Sequence, residues 1–144
     1  MSERTIRDII SGQALLTAPG SMTVAEAAKL MKQRNVGAMM VVDDGCLVGV
    51  FTERDGLFRV VAAGLDSKAT PLSMVMTAKP QSISPDRPFA HALAMMHDGR
   101  FRHLPVIENG RPIGMISVRD ALGPELEAFV YELLRQEQIT DVLA

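Results

Sequence analysis

The stretch Gly37-Ala-Met-Met-Val41-Val-Asp-Asp44-Gly45-Cys-Leu-Val-Gly49-Val-Phe-Thr52-Glu-Arg54-Asp55-Gly-Leu57 returns 65 residues later as Arg102-His-Leu-Pro-Val106-Ile-Glu-Asn109-Gly110-Arg-Pro-Ile-Gly114-Met-Ile-Ser117-Val-Arg119-Asp120-Ala-Leu122. Val41, Gly45, Gly49, Arg54, Asp55 and Leu57 recur unchanged. Most other pairs are chemically alike, among them Val42 with Ile107, Asp43 with Glu108 and Thr52 with Ser117. A repeat of this length predicts two copies of one supersecondary unit, neither able to bury its apolar face alone.

Working outward, Asp44-Gly45 and Asn109-Gly110 lie between apolar runs. Each predicts a hairpin, because a type I′ turn needs positive φ at both central residues. Upstream, Val24, Ala27, Ala28 and Met31 follow i, i+3, i+4, i+7, as do Phe89, Ala92, Leu93 and Met96, which predicts an amphipathic helix in each copy. Thr23 with Glu26 reads as a capping box, and Asp86 shortly before Pro88 as an N-cap signal. Short extended stretches over 15–18 and 81–84 precede these helices. After each hairpin a second helix is expected, from Glu53 to about Ala63 before Gly64, and from Val118 to the stop at Gly123-Pro124.

The unit is β-α-β-β-α, and the fold class is α/β (α+β), two tandem motifs packed with pseudo-two-fold symmetry. The expected division is 1–66 with an N-terminal helix, 67–123, and a C-terminal amphipathic helix over 124–144. Pro71, Leu72, Val75 and Met76 form a helical turn matched one repeat earlier to Ile6, Ile9 and Ser11.

The chain has 144 residues, 47% of them hydrophobic, enough for a real core without staples. The single cysteine, Cys46, excludes an internal disulfide and suits a reducing compartment, so the cytoplasm is expected. The charged N-terminus lacks a secretory pattern and no apolar run approaches the roughly 20 residues of a membrane span. A net charge of −2 with mixed signs, five Phe and one Tyr give no footprint for nucleic acid. The ten methionines read as adaptable core filler.

Chemistry concentrates where a strand ends and a helix begins at a hydroxyl: Gly49-Val-Phe-Thr52-Glu-Arg54-Asp55 and Gly114-Met-Ile-Ser117-Val-Arg119-Asp120. Unpaired N–H groups at a helix start suit phosphate. The hydroxyl adds a hydrogen bond, the carboxylate accepts from ribose hydroxyls, and the arginine forks onto phosphate. The simpler alternative is that Ser/Thr-x-x-Asp only caps a helix, stabilising it by roughly 1 kcal/mol. Two copies that also share the Arg and the Gly favour a ligand site in at least one.

The paired motif after a two-stranded hairpin, with Arg102-His-Leu-Pro-Val106 and Val75-Met-Thr77, resembles the cystathionine-β-synthase-type (CBS) domain pair over nearly the whole chain. The resemblance implies a non-catalytic regulatory module whose cleft binds an adenosyl compound: AMP, ADP or ATP first, S-adenosylmethionine or NADH otherwise, with no cofactor required. Carried onto this sequence, Thr52 and Asp55, and Ser117 and Asp120, match phosphate and ribose positions, with Arg54 and Arg119 the arginines read above as phosphate partners. Thr17, Ala18 and Ala38, and Ser82, Ile83 and His103, match the walls of the base pocket, and Arg102 adds a cation near the second copy. Gly37-Ala38-Met39 stands where the second copy has Arg102-His103-Leu104, so the two sites should differ in charge, and the second is favoured for a phosphorylated ligand.

Other chemistry finds little support. His91, His97 and His103 are six apart, a spacing that leaves the first two about 120° apart on a helix, unsuited to a metal. Cys46 has no sequence-local partner, and no nucleophile elbow, P-loop or dinucleotide fingerprint occurs. A ligand-free interaction scaffold of the same fold is the competing reading, and an enzyme is the remote one. A homodimer is expected: Leu126, Phe129, Val130, Leu133 and Leu134, with Ile6, Ile9 and Ile10, lie outside the repeat and call for a cover. The regulated partner protein is not named by the sequence.

Overall fold

The structure, a computed structural model, describes residues 4–121 and 131–136. Helix α1 (Ile6–Ile10) leads to β1 (Thr17–Ala18), α2 (Val24–Arg34), β2 (Ala38–Asp43) and β3 (Cys46–Thr52). Helix α3 (Glu53–Asp55) continues as a wider π-helical turn, Gly56–Val61. Then come α4 (Leu72–Val75), β4 (Thr77–Ala78), α5 (Phe89–Gly99), β5 (His103–Glu108), β6 (Arg111–Ser117) and a 3₁₀ turn, Val118–Ala121. The mixed α/β fold with two related halves agrees with the sequence.

The hairpins form where the turn residues require them. Asp44 and Gly45 have φ of 53° and 76°, Asn109 and Gly110 of 54° and 77°, the two positive values a type I′ turn needs. A register shift also recurs, between Val41 and Val42 and between Val106 and Ile107. Both long helices end in a left-handed residue, Asn35 and Arg100.

The first sheet runs β1-β2-β3-β4, the second β5-β6 alone. The stretch predicted as a strand over 81–84 is reduced to one parallel bridge, Ile83 to Val106. In the first copy the Met40 N–H reaches the Leu16 carbonyl. Its counterpart in the second copy is Pro105, which has no N–H to give.

Each copy's core is completed by a short helix from outside it. Leu72 and Val75 of α4 pack with Ala27, Met31, Met39, Val41 and Phe51 of the first copy. Ile6 and Ile10 of α1 pack with Phe89, Met96, Leu104 and Ile116 of the second. The bridges Thr5 to Pro88 and Thr23 to Pro71 tie each incoming segment to the start of a long helix. They also correct the match between the short helices: Pro71 corresponds to Thr5 and Leu72 to Ile6, an offset of 66, one residue having been lost before Ser82.

The recurring glycines have a packing role here. A Cβ on Gly49 would lie 2.3 Å from Met76 Sδ, and one on Gly114 2.8 Å from Ile10 Cγ2. The strands therefore carry no side chain where the short helices sit.

Two further expectations need correction and a third, the Thr23–Glu26 capping box, holds for its Thr23 half. Asp86 does not cap α5, whose N-cap is Pro88; the Phe89 N–H is taken by the Arg4 carbonyl instead, and Asp86 pairs with Arg7 at 3.1 Å. Thr23 does cap α2, accepting the Glu26 N–H at 3.2 Å. Ile6 and Ile10 do not call for a partner molecule, being buried in their own chain. Of the C-terminal stripe, Leu126, Phe129 and Val130 lie outside the described residues, while Leu133 and Leu134 are exposed. No helix among the described residues is long and apolar enough to cross a membrane.

Candidate functional site

In each copy the residue before the hairpin is bound to the helix start after it. The Glu53 N–H donates to the Gly37 carbonyl at 2.9 Å and the Val118 N–H to the Arg102 carbonyl at 3.1 Å. Whatever opens the first strand of a hairpin thus lies beside that copy's hydroxyl motif. In the second copy this unites Arg102 and His103 with Ser117, Arg119 and Asp120.

These five residues face a cleft of about 860 Å³ between the copies, a size suited to a drug-sized ligand. The first copy lines most of the rest, chiefly with apolar side chains such as Leu15, Leu16, Val24, Ala28, Met31, Val36 and Ala38, with Lys32 and Glu53 the charged residues on that side. Thr17, Ala18, Thr52, Arg54, Asp55, Ser82 and Ile83 are not among its lining residues. Ala18 and Ile83 are core residues, Thr17 is exposed and Ser82 half-buried.

The two motifs differ in what their side chains already do. Thr52 and Asp55 form a reciprocal capping box, the Asp55 N–H donating to Thr52 Oγ1 at 3.2 Å and the Thr52 N–H to Asp55 Oδ2 at 3.0 Å. Asp55 is buried, and its second oxygen lies 3.5 Å from Arg59 Nε. Arg54 stacks over Phe58, 5.3 Å from the ring centroid. In the second copy the Ser117 N–H donates to Asp120 Oδ2 at 2.8 Å, but Ser117 Oγ accepts from the Arg119 N–H at 3.2 Å. One repeat after Phe58 and Arg59 stand Gly123 and Pro124, neither aromatic nor charged, and Arg4 donates to the Asp120 backbone carbonyl at 2.9 Å.

His103 is half-buried at the junction of the copies. Burial, the largest influence, holds its pKa below the ordinary imidazole value; Arg119 and Arg102 act in the same direction, against Glu53 and Asp120. Among the described residues no group of three or more His, Cys, Asp or Glu could hold a metal ion.

Glu53 and Gln13 are among the cleft residues that escape sequence reasoning. Glu53 lines the cleft from the first copy, and its position inside the repeated motif was the available signal. Gln13 also lines it, its side chain donating to the Met115 carbonyl at 2.8 Å and accepting the Met115 N–H at 2.9 Å. That amide pairs with β6 much as β4 pairs with β3 in the first copy. The partners are 102 residues apart, so no local pattern announces them.

A family model for the CBS domain matches residues 5–61 and again 72–124. The CBS domain-containing protein CBSCBSPB5 of Arabidopsis thaliana is 39% identical over 121 residues, covering 83% of this chain and 22% of that protein. The chain therefore spans about a fifth of the length of this relative. The structure of a Burkholderia ambifaria MC40-6 protein with CBS domains, ascribed to signal transduction, is 37% identical with a TM-score of 0.77, covering 81% of this chain and 90% of the other. A CBS domain protein from Pyrobaculum aerophilum, complexed with AMP, shares the fold at 24% identity and a TM-score of 0.77, covering 92% and 99%.

Proposed function

Because this chain belongs to the CBS-domain family, whose domain pairs are regulatory modules, we propose that it is a non-catalytic sensor binding an adenosyl ligand in the cleft between its copies, AMP, ADP or ATP first. One observation carries the reading: Arg102, His103, Ser117, Arg119 and Asp120 converge in a cleft that the first copy lines chiefly with apolar side chains. An apolar wall suits a base. The cationic wall suits a phosphate, and a carboxylate at the start of a helical turn suits ribose hydroxyls. A protein of the same fold is complexed with AMP, which is consistent with a nucleotide in such a cleft. S-adenosylmethionine or NADH would use the same apolar wall.

The asymmetry between the motifs supports one ligand per chain, held by the second motif. Thr52, Arg54 and Asp55 are already engaged with one another, Phe58 and Arg59. The test is thermal unfolding with and without millimolar AMP, ATP, S-adenosylmethionine and NADH. Ligand at 100 times its Kd adds about 2.7 kcal/mol, and no shift with any of them returns the chain to the interaction-scaffold reading.

We also infer a homodimer that relays the ligand signal to a separate effector protein. Phe58 and Met74 are 55% and 70% exposed, with Leu57 and Val61 beside Phe58 on the same turn. A contiguous apolar patch of this kind marks an interface. The single exposed Cys46 fits a reducing cytoplasm.

A further inference from the structure

The cleft's cations and its one unengaged carboxylate are unevenly placed. Arg102 and Arg119 come from the second copy, where the first copy offers Gly37-Ala38 in place of Arg102-His103. From the first copy, across the junction, comes Glu53, in the place where the second has Val118. A Cβ on Gly37 would lie 3.0 Å from Glu53 Oε1 and 3.5 Å from His103 Cε1, so the two side chains close over one point at the seam. Among the described residues the Glu53 carboxylate makes no ion pair or hydrogen bond, whereas Asp120 accepts from the Ser117 N–H.

We propose that Glu53 is a specificity-determining residue that limits the anionic charge the cleft accepts, so that a nucleoside monophosphate binds and a triphosphate is disfavoured. The proposal rests on the adenosyl reading above. Arg102 and Arg119 together match the charge of a single phosphate. A phosphate chain extended toward the first copy meets a fixed carboxylate there instead of a second pair of cations, and like charges in a partly dehydrated cleft repel more strongly than in water. Lys32, on the last turn of α2, is the remaining cation on the wall; it lies on the first copy's apolar wall, among Ala28, Met31 and Val36. A carboxylate where the second copy has Val118 thus acts by exclusion, the repulsive half of specificity.

The test is isothermal calorimetry of AMP, ATP and adenosine with the full chain and with Glu53→Gln, which keeps the shape and removes the charge. The wild-type chain should bind AMP at least tenfold more tightly than ATP. Glu53→Gln should narrow that ratio about tenfold, chiefly by tightening ATP, while adenosine binding stays the same. A wild-type chain that prefers ATP, or a ratio that Glu53→Gln does not move, overturns the assignment while leaving the adenosyl site standing. A shift of equal size for adenosine also overturns it, since an uncharged ligand reports a change of shape only. If none of the three binds either protein this assignment fails, and if S-adenosylmethionine and NADH also leave the melting temperature unmoved the adenosyl reading fails with it.

Discussion

Arg59 Nε lies 3.5 Å from Asp55 Oδ1, and the residue one repeat after Arg59 is Pro124. The Asp55 carboxylate is thus paired with a cation outside the cleft, whereas Asp120, whose backbone carbonyl accepts from Arg4 at 2.9 Å, lines the cleft. Asp55→Ala removes a cap and leaves Arg59 without its partner; we expect a loss of roughly 1–2 kcal/mol in urea unfolding with ligand affinity changed less than threefold. Asp120→Ala should lower adenosyl affinity about tenfold or more by calorimetry, at a stability cost of about 1 kcal/mol for its cap. Equal affinity losses in the two variants would show that the first motif also holds ligand.

The glycines of the two motifs should respond unequally to alanine. At Gly49 the methyl meets Sδ and Cγ of Met76, an unbranched side chain that can swing aside. At Gly114 it meets Cγ2, Cβ and Cδ1 of Ile10, a β-branched residue whose χ1 is stiff within a helix, so α1 itself must move. Gly114→Ala should cost about 1–3 kcal/mol and Gly49→Ala clearly less. Thermal melts of the two variants decide, and the reverse order would contradict the seating of α1.

His103 makes stability and ligand binding respond to pH with opposite signs. Its folded pKa lies below its ordinary value of 6.5, so on acidification the unfolded chain takes up the proton first. The stability this contributes is complete above pH 6.5 and is lost as pH falls from there through the folded pKa. An anionic ligand beside Arg102 and Arg119 favours the imidazolium, so relative to His103→Gln its affinity should rise over the same window. The ligand phosphate's own proton uptake, at about pH 6, is common to both chains. Melting temperatures with and without AMP between about pH 8 and pH 5.5 test both signs, and His103→Gln should flatten both curves relative to the native chain.

The inferred dimer rests on the turn after α3 and on α4. Phe58→Glu with Met74→Glu should convert it to a monomer near 15.6 kDa by sedimentation at micromolar concentration, the chain remaining folded because both side chains are exposed. A native chain that already sediments as a monomer refutes the dimer. A dimer that survives both charges shifts the interface to the C-terminal stripe.

The repeat at an offset of 65 determined by itself the two hairpins, their turns, the long helices and the family, because each of these depends on residues close together in the chain. Asp44-Gly45 and Asn109-Gly110 admit few backbones other than the one observed, and the i, i+3, i+4, i+7 stripes choose the buried faces of α2 and α5. The tertiary structure alone decided which short helix completes which core. Ile6 and Ile10 are apolar residues in a five-residue helix, and nothing local says that their cover is Phe89 and Ile116 rather than another molecule. It decided, too, that two nearly identical motifs differ in availability. The difference lies in Phe58 and Arg59, which look like an ordinary helix continuation in sequence and become a ring and a counter-ion only once the helix turns them onto Arg54 and Asp55. Glu53 and His103 share one point of the cleft because two hairpins meet across the pseudo-two-fold seam, a proximity of residues 50 apart in sequence that only packing creates.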